Sequence, residues 1–306
     1  MSVAAMRGVT KRYGDTTAVR DVSFALEENR VYGLLGRNGA GKSTVMRMLT
    51  GQDFPTEGEI EVFGERPYEN AGVLGRICFI KESLKYPDIF KVRHAFSAAS
   101  LLFSNWDADY AEQLADEFQL PTRKSIKKLS RGQLSAVGVI IGLASRAPLT
   151  LFDEPYLGLD AVARQRFYDH LLADYAEHPR TVVLSTHLID EVSDLIEHVL
   201  VIDSGRILMD GGSDELRAQA VTVSGPRRAV EEFASGYTVL HREELGGLLR
   251  LTLSGGVPRQ GTDSVHVEPV SLQQLVVRTT QLADGHALVR SDHGRARDGH
   301  NGREAG

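Results

Sequence analysis

The stretch Gly36-Arg37-Asn38-Gly39-Ala40-Gly41-Lys42-Ser43-Thr44 constrains this chain more than any other feature. It fits G-x-x-x-x-G-K-[ST], a pattern that cradles phosphate where a strand runs into the loop and a helix leaves it. Both neighbours are legible: Arg30 to Leu35 reads as a short, largely apolar strand, and Ser43 to Leu49 as a helix. Glycines let successive backbone N–H groups turn inward without Cβ clashes. The helix N-terminus adds unpaired N–H groups and the positive end of its dipole. Lys42 is placed to reach the β- and γ-phosphates, and the Ser43 hydroxyl to ligate Mg²⁺. Gly36, Asn38, Gly39, Ala40, Gly41, Lys42, Ser43 and Thr44 are therefore the expected contacts of a nucleoside triphosphate.

At 306 residues the chain has room for a large domain and a smaller one. Its net charge of −6 gives no global basic field, so nucleic acid is not an expected partner. The single cysteine, Cys78, excludes an internal disulfide framework and reads as a small buried hydrophobe within Ile77-Cys78-Phe79-Ile80. No apolar run approaches the roughly 18 residues a membrane span requires. The N-terminus lacks the basic start and apolar middle of a signal peptide.

Short strands are expected at Val3 to Val9, Ala18 to Leu26, Val31 to Leu35 and Glu59 to Gly64. Residues 87–120 have helical character, with an acidic amphipathic segment opening at Trp106. Beyond them come a helix over about 131–145, a buried strand at Leu149 to Phe152 and a helix over about 161–177. A β-branched run at Thr181 to Ser185, a helix from about Leu188 and a hairpin at Val199 to Ile207 complete the pattern. Strands alternating with helices after such a loop imply a largely parallel sheet with helices on its faces. After about residue 214 short strands dominate, at Val221 to Gly225, Tyr237 to Leu240, Leu248 to Leu253 and Val265 to Val267, with a helix at Leu272 to Gln281. Residues 214–283 are thus expected to form a small α+β accessory domain, and 284–306 a disordered polar tail. His286, His293 and His300 in that tail lack neighbouring carboxylate or thiolate anchors and read as part of it rather than as metal ligands.

Leu149-Thr150-Leu151-Phe152-Asp153-Glu154 is a hydrophobic strand ending in two acids. Side chains alternate along a strand, so consecutive acids can take different tasks. Asp153 is placed to hold Mg²⁺ and Glu154 to act as general base on water beyond the γ-phosphate. Ser130 in Leu129-Ser130-Arg131-Gly132-Gln133 is a good helix N-cap, and that helix start is a second anion site.

Leu129-Ser130-Arg131-Gly132-Gln133 also resembles the LSGGQ signature of the ABC ATPases, with Arg131 where the family has its first glycine. The resemblance covers about residues 3–212. It implies a P-loop ABC ATPase fold within residues 1–213, an antiparallel β subdomain and a helical subdomain at about 84–146. In that family Ser130, Arg131, Gly132 and Gln133 would meet the γ-phosphate held by a second copy, so a head-to-tail homodimer sandwiching two ATP molecules is implied. Tyr13 matches the aromatic position that stacks on adenine, His187 the switch histidine, and Asp160 in Leu157-Gly158-Leu159-Asp160 the D-loop. The Q-loop glutamine has no counterpart: aligning by the strand places Glu82 there as a Mg²⁺ ligand, with Lys81 the other candidate. Glu154, His187, Lys42 and Glu82 are the implied catalytic set, and Ser43, Glu82 and Asp153 the metal set. Asn105-Trp106-Asp107 and the accessory domain look like the bacitracin-resistance type of bacterial exporter ATPase.

The resemblance implies an ATP-hydrolysing subunit, peripheral on the cytoplasmic face of the membrane, driving transport through a separate permease. The permease would dock near Glu82 and the helical segment at about 84–110. Two other readings are a soluble ABC ATPase with a mechanical task and a nucleotide-gated regulatory module. A translation-type member would carry two cassettes and a repair-type member long heptads; neither is present in the sequence. Asp153, Glu154 and His187 together argue against a module that has lost hydrolysis.

Overall fold

The computed structural model describes residues 2–82, 84–258 and 260–281. The tail from residue 284, with its three histidines, lies outside the described residues. The chain divides into two compact units, the first ending at Ser213 and the second beginning at Asp214.

In the first unit two long strands, β1 (Ser2–Tyr13) and β2 (Thr16–Glu27), pair antiparallel across the turn at Gly14 and Asp15. Along β2, buried Val22, Phe24 and Leu26 alternate with exposed neighbours, as a sheet with one face on a core demands. β3 (Val31–Leu35) is buried at all five positions and delivers the chain to the glycine loop and α1 (Lys42–Leu49). β4 (Glu57–Val62) joins the other side of β1, giving a three-stranded antiparallel sheet in the order β2-β1-β4. After the single turn α2 (Ala71–Leu74), β5 (Ile77–Lys81) places Cys78 in the interior, where burial pushes its thiol up to about 12.

The helical character of residues 87–120 resolves into two helices. These are α3 (Val92–Leu102) and α4 (Ala108–Glu117), separated where Phe103 turns extended and the Asn105 side-chain amide donates to the Arg146 carbonyl. The Asp107 carboxylate caps α4 by accepting the Tyr110 N–H, so the helix begins after Trp106. α5 (Arg131–Ala144) packs against both and starts at a capping box in which Ser130 and Gln133 satisfy each other's backbone N–H groups.

The remaining elements of this unit are β6 (Leu149–Asp153), α6 (Ala161–Glu177), β7 (Thr181–Thr186), α7 (Ile189–Val192), β8 (His198–Asp203) and β9 (Arg206–Gly212). The helix expected from Leu188 is a single turn. The chain leaves it so that Ile196 packs directly over Gly33. The central sheet has the order β5-β6-β7-β3-β8-β9, parallel throughout except for the β8-β9 hairpin. β3 therefore lies between β7 and β8, far along the chain from both. The C-terminal ends of β3, β6 and β7 consequently share one edge, where ligands bind in open parallel sheets.

The second unit opens in α8 (Ser213–Ala218) and continues through β10 (Ala220–Pro226), α9 (Arg227–Phe233), β11 (Thr238–Leu245), β12 (Leu248–Ser254) and β13 (His266–Pro269). A helix over 272–281 ends the described chain. The four strands form an antiparallel sheet in the order β11-β12-β10-β13. Val221, Val223, Leu249, Leu251 and Leu253 form its core with Val230 of α9. α9 was not legible in the sequence because Val230 is its only buried residue, too little to set a helical period.

Candidate functional site

The glycine loop is moulded by what surrounds it. A Cβ on Gly36 would lie 2.1 Å from the Ile202 carbonyl oxygen, and Gly41 sits at φ 113° with Ala18 backbone alongside. Only glycine meets both demands, so the loop can lie flat against β8 and β2. Arg37 fastens it from outside through Asp203 at the end of β8, 3.1 Å away. Lys42 is buried; its Nζ donates to the carbonyl oxygens of Gly36 at 2.7 Å and Arg37 at 3.1 Å.

Asp153 ends β6, buried, and its Oδ1 has no hydrogen-bond partner among the described residues. Glu154 follows at φ 50°, the left-handed region that non-glycine residues enter at a cost. That turn sends its carboxylate back over the loop: Oε1 lies 3.5 Å from Lys42 Nζ and Oε2 lies 3.0 Å from His187 Nδ1. Lys42, Glu154 and His187, 145 positions apart at their extremes in the numbering of the chain, thus form one connected line.

Tyr156 holds that line in place, and sequence reasoning missed it. Its buried hydroxyl accepts from Thr186 Oγ1 at 3.0 Å and from the His187 backbone N–H at 3.2 Å, and lies 3.1 Å from His187 Nδ1. Burial pushes the phenol up to about 12, so it stays protonated at neutral pH. The one available signal was an aromatic residue two positions after the paired acids. Tyr156→Phe leaves the buried Thr186 hydroxyl and the His187 N–H without their acceptor. We expect a stability loss of about 1–3 kcal/mol, read as a lower urea midpoint in the fluorescence of Trp106. An unchanged midpoint would remove Tyr156 from this role.

A cavity of about 530 Å³ opens here, within the usual size of a small-molecule site. Asn38, Gly39, Gly41, Lys42, Ser43, Thr44, Lys81, Glu82, Asp153 and Glu154 line it, joined by Arg47, Phe79 and Leu157. Both Q-loop candidates, Lys81 and Glu82, therefore face the site. The orphaned Asp153 oxygen in a cavity shared with the Ser43 hydroxyl suits a hard cation such as Mg²⁺, which takes few protein oxygens and fills its shell from phosphates and water. No cluster of three or more His, Cys, Asp or Glu side chains forms a self-sufficient metal site among the described residues.

The structure does not bring the other sequence candidates into that lining. Tyr13 is half exposed beside it, its hydroxyl held by Asp53 and by Arg47, whose guanidinium also donates to Thr44. Ser130 and Gln133 cap α5, and Asp160 caps α6 by accepting the Ala163 N–H at 2.8 Å. Arg131 reaches the site indirectly, through an ion pair with Glu82.

A parallel sheet with a glycine loop, buried lysine and paired acids at one edge defines a P-loop nucleotide-binding protein. A family profile described as ABC transporter matches residues 19–157. The bacitracin transport ATP-binding protein BcrA of Bacillus licheniformis is 31% identical over 214 residues, covering 68% of this chain and 69% of that protein. The daunorubicin resistance ATP-binding protein DrrA3 of Streptomyces coeruleorubidus is 30% identical over 224 residues, covering 69% of each. Among solved structures, the ATP-binding subunit of an ABC transporter superposes with a TM-score of 0.64 at 22% identity, covering 71% of this chain and 92% of that one. A dimeric bacterial ABC transporter cassette gives a TM-score of 0.61 at 20% identity, covering 69% and 98%. The chain belongs to the ABC transporter ATP-binding family, and relatives named for bacitracin transport and daunorubicin resistance stand among its homologues.

Proposed function

We propose that this chain hydrolyses ATP as the nucleotide-binding subunit of an exporter. The observation that carries this reading is Glu154, held between Lys42 and His187 over the phosphate-binding loop. A carboxylate so placed can take a proton from water aimed at a terminal phosphate, while His187 fixes its orientation. Lys42 neutralises charge on the β- and γ-phosphates, turning from the loop carbonyls to do so. Ser43, Asp153 and Glu82 would hold Mg²⁺, which supplies further charge neutralisation on the phosphates when bound. Tyr13 would stack on the adenine, with the Lys11 ammonium 4.8 Å from its ring.

The start of α5 is not part of the chain's own cavity lining. That supports a second copy as the source of Ser130 to Gln133, with Asp160 near the shared interface, in a head-to-tail homodimer. The reading includes a separate membrane subunit, as the likeness to ABC transporter ATP-binding proteins suggests; no helix among the described residues is long and apolar enough to cross a membrane. Its seat would be the cavity of about 450 Å³ between α3 and α4, walled by Arg93, Phe96, Ser97, Ser100 and Trp106. Export and a place on the cytoplasmic face are part of this proposal; the relatives named for bacitracin transport and daunorubicin resistance support a transport role.

The test is the mass in solution of Glu154→Gln. With ATP and Mg²⁺ it should sediment as a dimer, and without nucleotide as a monomer. A variant that stays monomeric at saturating ATP would overturn the paired-site reading.

A further inference from the structure

We infer that Arg131 is a charge-balancing and positioning residue for this chain's own nucleotide site, acting through Glu82. The inference rests on the nucleotide-site reading above. The Arg131 side chain spans two segments of the site. Its stem lies over the Gly158 loop, with Cγ 2.8 Å from where a Cβ on Gly158 would stand. Its guanidinium donates to the Glu82 carboxylate in an ion pair. The underlying contact is firm, since Ser135 of the same helix donates to the Leu157 carbonyl at 2.6 Å, and Leu157 lines the cavity.

The charge count explains what this pairing does. Lys42, Arg47 and Lys81 line the cavity against Glu82, Asp153 and Glu154, so the lining cations and carboxylates balance. A polyphosphate needs a surplus of positive charge, and a carboxylate at position 82 works against it where an amide would not. Arg131, outside the lining but bonded to Glu82, supplies the compensation. A glycine at position 131 could make neither contact. The acid at 82 and the arginine at 131 are thus two halves of one arrangement.

The side chains are 69% and 36% exposed, so the pair is worth a modest shift that salt screens. The experiment is the affinity of the full chain for a fluorescent methylanthraniloyl ATP analogue in EDTA at low ionic strength. Arg131→Gln should weaken binding about two- to fivefold, Arg131→Lys should keep most of the affinity, and Arg131→Gln combined with Glu82→Gln should recover it. The recovery is the deciding readout, since a purely structural role for Arg131 would not be rescued at position 82. Unchanged affinity in Arg131→Gln, or a double variant as weak as the single one, overturns the inference. Failure of the unaltered chain to bind the analogue would instead overturn the nucleotide reading beneath it.

Discussion

Glu154→Gln should lower ATP turnover by about 10²–10⁴-fold, the contribution expected of a positioned general base, and should leave ATP binding within a few-fold of the parent. Glutamine keeps the shape of the side chain and a partner for His187 Nδ1, 3.0 Å away, but it cannot take a proton from water. It also removes the carboxylate 3.5 Å from Lys42, freeing the ammonium for phosphate. Binding should therefore hold or tighten while hydrolysis stops, and that separation is diagnostic. Phosphate release under single-turnover conditions, set beside the affinity for ATP, makes the measurement. If the variant turned over at the parent rate, Glu154 would not be the base.

Asp174→Ala should cost about 3–5 kcal/mol of folding stability, because it strands buried positive charge. The Asp174 carboxylate is almost fully buried near the end of α6, with Arg180 Nη1 2.7 Å from one oxygen and Arg146 3.1 Å from the other. Arg180 is buried as deeply, so losing Asp174 leaves it without its counter-charge. Arg146 carries the network outward to Asp107, 2.9 Å away, the residue that caps α4. One carboxylate thus ties the helices around α4 to the sheet at β7. Against a typical total of about 5–15 kcal/mol, the loss is large. Trp106, the chain's single tryptophan, adjoins Asp107 and reports this region during urea unfolding. A loss below about 1 kcal/mol would show that the network is dispensable. Arg146→Met should cost less, because Arg146 is only partly buried and its packing on Tyr110 is partly retained.

The parts of the site that read directly from the sequence are those built from consecutive residues. Gly36 to Thr44 fold as one strand–loop–helix unit, so spacing alone named Lys42 and Ser43. Asp153 and Glu154 stand out because an apolar strand ends abruptly in two acids. α5, α6 and the buried strands β3, β6 and β7 were equally open to reading, since period and capping residues lie within each segment. The helices around 87–120 were less so: their breaks at Phe103 and Asp107 depend on Asn105 reaching Arg146, a contact across the fold.

The sequence by itself determined that a phosphate loop, a pair of acids and a signature-like helix start exist in this chain. It identified no partner for Arg131 within the chain and no role for Tyr156 or Asp174. Those followed only from tertiary structure, because the sheet order sets β3 beside β7 and β6 beside β5. That order brings Glu154 to His187 and Lys42, and it places Glu82 within reach of the α5 start. Local periodicity records which face of a segment is buried, but charge pairing between distant segments depends on which strands become neighbours, and no single segment encodes that.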